Sequence, residues 1–299
     1  MKAINLLIPL FLLASGTLFA QGSLEPVDPP GPVMKSLDQI EPRIPVSGPG
    51  TLEVPGSYYL TQDISGPVTL GADNIRFDLN GFTITGGNPS IELGTQSDVE
   101  VFNGRLRNNP AASAVHSAGG ANVIVRDLNV YDYARCVHAT GVDGTFTIQN
   151  VTCDEIQLFG FQLFGNTGDN PSFRILNNTL SHTGLDVSNP AISIGHTGDA
   201  AEIVEVQLTG NRLLQPLGSG ILLGATMVLT TGIVADNYVS GCGNIGLVVA
   251  GGYLVTRNIV QGCPTPYSLG SAPNAAPATL ITDTPGPWDN VSDSGFPSR

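Results

Sequence analysis

The stretch Asn74–Gly87 reads NIRFDLNGFTITGG. Ile75, Phe77 and Leu79 alternate with polar neighbours, the rhythm shifts across Asn80-Gly81, and it resumes at Phe82 and Ile84. Alternation of this kind marks a strand with one buried face. Asn-Gly between two such runs would suit a hairpin, but it would equally suit one rung of a repeat. The residues beyond it decide between the two.

Take Gly81 as position zero, with apolar residues at −4, −2 and +3: Phe77, Leu79 and Ile84. The same frame fits at Asn103, Asp127, Asn150, Asn177, Gly210 and Arg257, and at Asp236 it holds except for Gly232. These eight occurrences lie 21 to 33 residues apart. Self-similarity at such a period means a solenoid or array. Each repeat also carries a second short strand of the form small-apolar-x-apolar, as in Ala191–Ile194, Gly220–Leu223 and Gly246–Val249. Short strands, glycines at corners and no helix between them predict an all-β chain. The architecture expected is a single-stranded right-handed parallel β-helix of about eight or nine coils over residues 54–263. Coils stack ~4.8 Å apart, so like positions in successive repeats become neighbours. Asn178, Asn211, Asn237 and Asn258 each follow a frame zero, and amides stacked at one corner can hydrogen-bond along the stack.

Proline cannot donate to a ladder and is kept out of central strands. Nine prolines lie between Gln21 and Pro67, seven between Pro264 and Arg299, and only five from Val68 to Cys263. The regular body is therefore the middle. Residues 21–53 read as a Pro-rich leader and N-terminal cap, in which Ser36 and Gln39 fit a capping box for a short helix from about Leu37 to Ile40. Residues 264–299 form a tail of low periodicity, expected to wrap an end of the body or to be loosely held. Residues 1–20, MKAINLLIPLFLLASGTLFA, have the layout of a secretory signal peptide: Lys2, an apolar run, and Ala20 before Gln21. Pro9 and Gly16 interrupt that run, which is short for a membrane span. The expectation is a secreted, extracytoplasmic monomer without membrane insertion. Its formal charge is −13, and loss of Lys2 makes it more negative. So acidic a surface argues against nucleic acid and anionic lipid as partners.

The runs FRILNNTL (Phe173–Leu180) and VADNYV (Val234–Val239) resemble right-handed β-helix repeats of the pectin-lyase-like superfamily. MKSLDQIEPRIPV, GSYYLTQDI and DNIRFDLNGFTI together look like the opening of a group of secreted bacterial β-helix proteins. The resemblance, over about Leu37 to Cys263, implies the fold. It implies function only broadly, because the superfamily includes polysaccharide lyases, glycoside hydrolases, epimerases, adhesins and phage tailspikes. The chain has no Asp-Asp pair, carries Gly195-His196-Thr197 where polygalacturonase-like hydrolases have Gly-His-Gly, and has no lysine after Lys35. No Asp-Pro-His-Asp epimerase pattern occurs. Ca²⁺ is left open as a cofactor, since only Asp154-Glu155 with Asp132 approach a ligand cluster.

Stacking the repeats produces two polar rows. In the second strand the outward third position reads Glu92, His116, His138, Gln162, Ser193, then Leu222 and Val248. Imidazole moves protons near neutral pH, so His116 and His138 with Glu92 are the candidate catalytic set, and Gln162 a candidate substrate contact. Five residues past the frame zero a turn row reads Asn108, Asp132, Glu155, His182, Gln215. Asp132, Glu155 and His182 there are the runner-up binding strip, with Tyr131 and Tyr133 as sugar-stacking platforms and Arg135 as a carboxylate contact. A solvated face and a polar turn would account for either row without any ligand. Two readings follow: a protein that binds or acts on polysaccharide along one sheet face, or a non-catalytic structural β-helix. The inserted loops GNTGDNP and GHTGDAAE tilt toward the first. Cys242 and Cys263 share one phase of adjacent coils, which predicts a disulfide in an oxidising compartment. Cys136 and Cys153 differ in phase and are expected to stay unpaired.

Overall fold

The computed structural model describes residues 43–165, 171–184, 186–196, 203–224, 229–250, 252–270, 274–275, 278–280 and 289–293. The signal segment, the leader, the helix expected at Leu37–Ile40 and most of the two inserted loops lie outside them. Among the described residues all regular structure is strand.

The strands form a parallel β-helix with three stacked faces. The first face takes Ile75–Asp78, the starts of Val99–Ser117 and Val123–Val142, then Thr145–Gln149, Ser172–Leu176, Ile203–Thr209, Leu229–Ala235 and Gly252–Thr256. Each pairs in parallel with the next. The second face runs from Thr83–Thr85 to Ile259–Gln261. The third runs from Gly50–Leu52 to Thr265–Leu269. Stacking begins at Arg43–Val46, which pairs with Gly56–Leu60. The regular ladder thus reaches beyond residues 54–263 at both ends.

From the second frame onward the apolar positions stack as the repeat predicts. Val99, Val123, Phe146, Phe173 and Val206 pair in succession at −4. Leu106, Val130, Cys153, Leu180, Leu213, Val239 and Val260 do so at +3. All are buried, and together they line the interior. Where the row passes through Gly232 (φ 146°), an added Cβ would meet the backbone of Val206. The next coil puts Tyr253, fully buried, at that position.

Position zero is itself a corner. Gly81, Asn103, Asp127, Asn150, Asn177, Gly210, Asp236 and Arg257 all have φ between 54° and 78°, the left-handed region that Gly, Asn and Asp tolerate best. Arg257 is the exception in type, and its guanidinium is clamped on the Asp236 carboxylate by two bonds of 2.6 Å.

The opening stretch is the irregular coil. Phe77 pairs with Val101 rather than Val99, while Ile84 still pairs with Leu106. The difference is taken up at the corner, where Asn80 and Gly81 are both left-handed (φ 51° and 78°). Leu79 folds inward, fully buried, and fills the space that a Cβ on Gly104 would need.

The asparagines form a buried ladder. Asn178 donates to the Asn211 Oδ1 (3.0 Å), Asn211 to Asn237 (2.9 Å), Asn237 to Asn258 (2.9 Å) and Asn258 to Asn290 (3.0 Å). Asn290 comes from the tail, whose Asn290–Ser292 strand pairs with Ile259–Gln261. Cys242 and Cys263 are bridged across adjacent coils, with Cα atoms 4.8 Å apart. Cys136 and Cys153 are also bridged, at 6.2 Å, which corrects the expectation that they stay free. Both point into the interior and are fully buried. A phase rule covers stacked neighbours only, whereas core-facing side chains can also meet across the narrow interior.

Candidate functional site

The third face carries the histidine row in the expected order. Glu92 pairs with His116, His116 with His138, His138 with Gln162, and Gln162 with Ser193. The imidazole centroids of His116 and His138 are 5.1 Å apart. His116 Nδ1 lies 2.8 Å from the Glu92 carboxylate, and the Gly94 N–H donates to the same group at 2.8 Å. Burial works to raise the Glu92 carboxyl, but these hydrogen bonds and the nearby imidazoles hold it below its usual range. His138 is pushed down to about 4, by burial first and then by Arg135 and His116. Arg135 Nε donates to Gln162 Oε1 at 2.7 Å. At each end the row is internally bonded, His116 to Glu92 and Gln162 to Arg135, with His138 between them in ring contact with His116. Its His138 is neutral at pH 7 and a weak base, poorly placed to trade protons with a substrate.

The turn row is a second corner. Asn108, Asp132, Glu155, His182 and Gln215 have φ between 47° and 65°, and Gly241 and Gly262 continue the series. Polar residues with a left-handed backbone turn their side chains out of the coil, one above another. Between them and the following strands runs a groove of about 520 Å³, lined by Asp132, Glu155, Ile156, Gln157, His182, Gly184, Gln215, Leu217 and Gly241. Leu217 is half-exposed on one wall, while Ile156 is buried beneath it.

Beside the groove, Tyr131 stacks on the second face next to Asp154. Its ring is exposed, with the Arg107 guanidinium 5.7 Å from the centroid. Tyr133 is not a platform. The left-handed turn at Asp132 reverses the alternation, so Tyr133 points inward, fully buried. Its hydroxyl bonds to Ser90 Oγ (2.6 Å) and to the Arg107 carbonyl (3.2 Å). Arg135, committed to Gln162, sits away from the groove on the histidine face.

Asp154, one residue before the corner, accepts from Ser181 Oγ at 2.7 Å and lies 2.8 Å from His182 Nδ1. The Asp154 hydrogen bond raises the His182 pKa. Burial works to raise Asp154, but its bonds to His182 and Ser181 outweigh that and hold it low. Each partner therefore favours the charged form of the other. Asp154, Glu155 and His182 each offer one ligand atom, all within 4.8 Å of one another. By type this nitrogen and oxygen set suits a divalent cation, which would have to replace the Asp154–His182 hydrogen bond. Sequence reasoning named Asp132, Glu155 and His182 but missed Leu217 and Gln157 as walls. Both lie seven residues past a frame zero, Gly210 and Asn150, but a leucine in one coil and a glutamine in another share no residue type that would mark a wall.

Stacked coils with a cleft along one corner define the class: a parallel β-helix protein with a polar groove running across successive coils. No protein-family model matches the chain, and no curated protein does. Among solved structures, one match is the catalytic domain of GH87 alpha-1,3-glucanase in complex with nigerose. It is 13% identical with a TM-score of 0.32, and the match covers 84% of this chain and 70% of that one. A substituted variant of that domain, also with nigerose, is 12% identical with a TM-score of 0.36 over the same shares. At such values the likeness says nothing about activity, and the fold rests on the strand pairings above.

Proposed function

We propose that this chain is an exported β-helix protein that binds a polysaccharide along the corner groove, with Asp132 and Glu155 as the pair able to hydrolyse it. The observation that carries this reading is the groove itself. It crosses several coils and presents carboxylate, imidazole and amide groups at a fixed spacing of one strand, ~4.8 Å. A repeating ligand can meet such a lattice in register. Glycoside hydrolysis needs two carboxyl groups flanking the bond, one to protonate the leaving oxygen and one to activate water or attack the sugar. Asp132 and Glu155 occupy neighbouring coils on that lattice. Tyr131 offers an exposed ring beside it, and the two disulfides suit an oxidising compartment. The groove is preferred over the histidine face because there His116 is bonded to Glu92 and Gln162 to Arg135, and His138 is a weak base.

The test is a panel of soluble polysaccharides, read by retention on affinity gels and by release of reducing ends. Retention that falls about tenfold or more in Asp132→Asn and Glu155→Gln supports binding here, and loss of reducing-end release in both supports hydrolysis. Retention abolished by His138→Ala and untouched by the groove variants would move the site to the third face. A second reading, a non-catalytic structural β-helix, is favoured by the uninterrupted asparagine ladder. It is the outcome if no glycan is retained.

A further inference from the structure

Charge in the groove narrows the ligand further, on the premise that the groove binds glycan at all. The lining residues include two carboxylates, Asp132 and Glu155, and neither lysine nor arginine. Its one imidazole, His182, has Nδ1 2.8 Å from the Asp154 carboxylate, and with Glu155 in the same cluster and Asp132 one coil away the carboxylates outnumber it three to one. Beside the groove, the Arg107 guanidinium lies over the Tyr131 ring, 5.7 Å from its centroid. Around the carboxylates the remaining functional groups are neutral: the amides of Gln157 and Gln215, and the apolar wall of Leu217. Amides pair with hydroxyls, and an exposed leucine covers the C–H face of a sugar ring. The amides can donate to a ligand carboxylate as well as to a hydroxyl, but neither lysine nor arginine lines the groove to offset its charge.

We infer that the groove takes an uncharged glycan and excludes polyuronates. A uronate carboxylate a few ångströms from one corner carboxylate loses roughly tenfold in affinity at low salt. A polymer meeting both corners loses more. The repulsion is screened as ionic strength rises, since the Debye length falls from ~10 Å at 0.1 M to ~3 Å at 1 M.

The experiment is affinity electrophoresis of the full mature chain through gels holding dextran, mixed-linkage β-glucan or polygalacturonate. Each gel is run with EDTA, with CaCl₂ and with 1 M NaCl. The expected result is retention by at least one neutral glucan and none by polygalacturonate in EDTA, with polygalacturonate gaining relative to the glucan in salt. In the double variant Asp132→Asn, Glu155→Gln the ratio of polygalacturonate to glucan affinity should rise at least tenfold. Using a ratio keeps the test sound even where the variant weakens both. Polygalacturonate retained as well as glucan in EDTA overturns the inference and leaves the groove reading standing. So does retention that appears only with CaCl₂, because the carboxylates would then be cation ligands bridging to uronate. An unchanged ratio in the double variant overturns it as well. Failure to retain any glycan removes the groove reading itself.

Discussion

At His138, burial and the neighbouring Arg135 and His116 charges keep the imidazole neutral until about pH 4. In the unfolded chain the same group titrates near 6.5. Below that pH the unfolded state binds the proton first, so this residue's stabilising contribution is present above pH 6.5 and is lost as pH falls toward 4. Discounting the shift for partial exposure leaves on the order of 2 kcal/mol. His138→Gln should flatten the fall in melting temperature between pH 6.5 and 4. A variant as acid-sensitive over that window as the parent would assign the effect elsewhere. Gly104 makes a different kind of demand. Its missing Cβ is the space taken by Leu79 from the coil before. Gly104→Ala should therefore destabilise by about 1–3 kcal/mol, as overpacking does, measured by urea unfolding. Pairing it with Leu79→Ala should restore part of that loss, since the two changes share one volume.

Among the elements, the corners and the ladder were legible to different depths. The apolar frame is readable because strand alternation repeats, and the order Glu92–His116–His138–Gln162 follows once that register is known. The first coil broke the rule at Phe77 because Asn80-Gly81 enlarges its corner, and one coil carries no repeat against which to see that. Tyr133 was misplaced for a related reason: a left-handed residue at Asp132 inverts the alternation behind it, and Asp does not announce φ as Gly does. Asn290 was hidden because a tail segment enters the ladder without the frame around it. The ladder itself allows a direct prediction. Asn211 takes bonds from the Asn178 backbone N–H and amide, and gives bonds to Ile175, Thr209 and Asn237. Asn211→Ala leaves several of these buried groups unpaired, at about 1–3 kcal/mol each before relaxation. A total loss of about 2–4 kcal/mol in chemical unfolding is expected, with Asn211→Asp at least as harmful because a carboxylate cannot donate. A loss under 1 kcal/mol would mean water reaches the corner and the ladder is not dry.

For the whole molecule, a solenoid distributes stability between neighbours, since each coil touches only the next. That is also why the sequence reached only part of the groove: the turn row brings Asp132, Glu155, His182 and Gln215 together, but the walls at Gln157 and Leu217 show only once the coils are stacked. The same locality separates the two disulfides. Each closes a loop of similar length, 17 residues for Cys136–Cys153 and 21 for Cys242–Cys263. Loop entropy alone therefore assigns each about 3 kcal/mol. Their positions differ. Cys136–Cys153 lies between coils that are held on both sides, so its loss weakens the stack without freeing an end. Cys242–Cys263 ties the coils of Tyr238–Ser240 and Ile259–Gln261, beyond which, among the described residues, only the short tail strands Asn290–Ser292 and Ala278–Leu280 are stacked on that face. Replacing both of its cysteines with serine should raise hydrogen exchange across residues 236–269 well before global unfolding, leaving 99–165 protected. The Cys136→Ser, Cys153→Ser pair should instead lower the global unfolding midpoint with no early local exchange. Uniform exchange in both variants would mean that the coils unfold as one cooperative body, and that nearest-neighbour contacts do not set the order of opening.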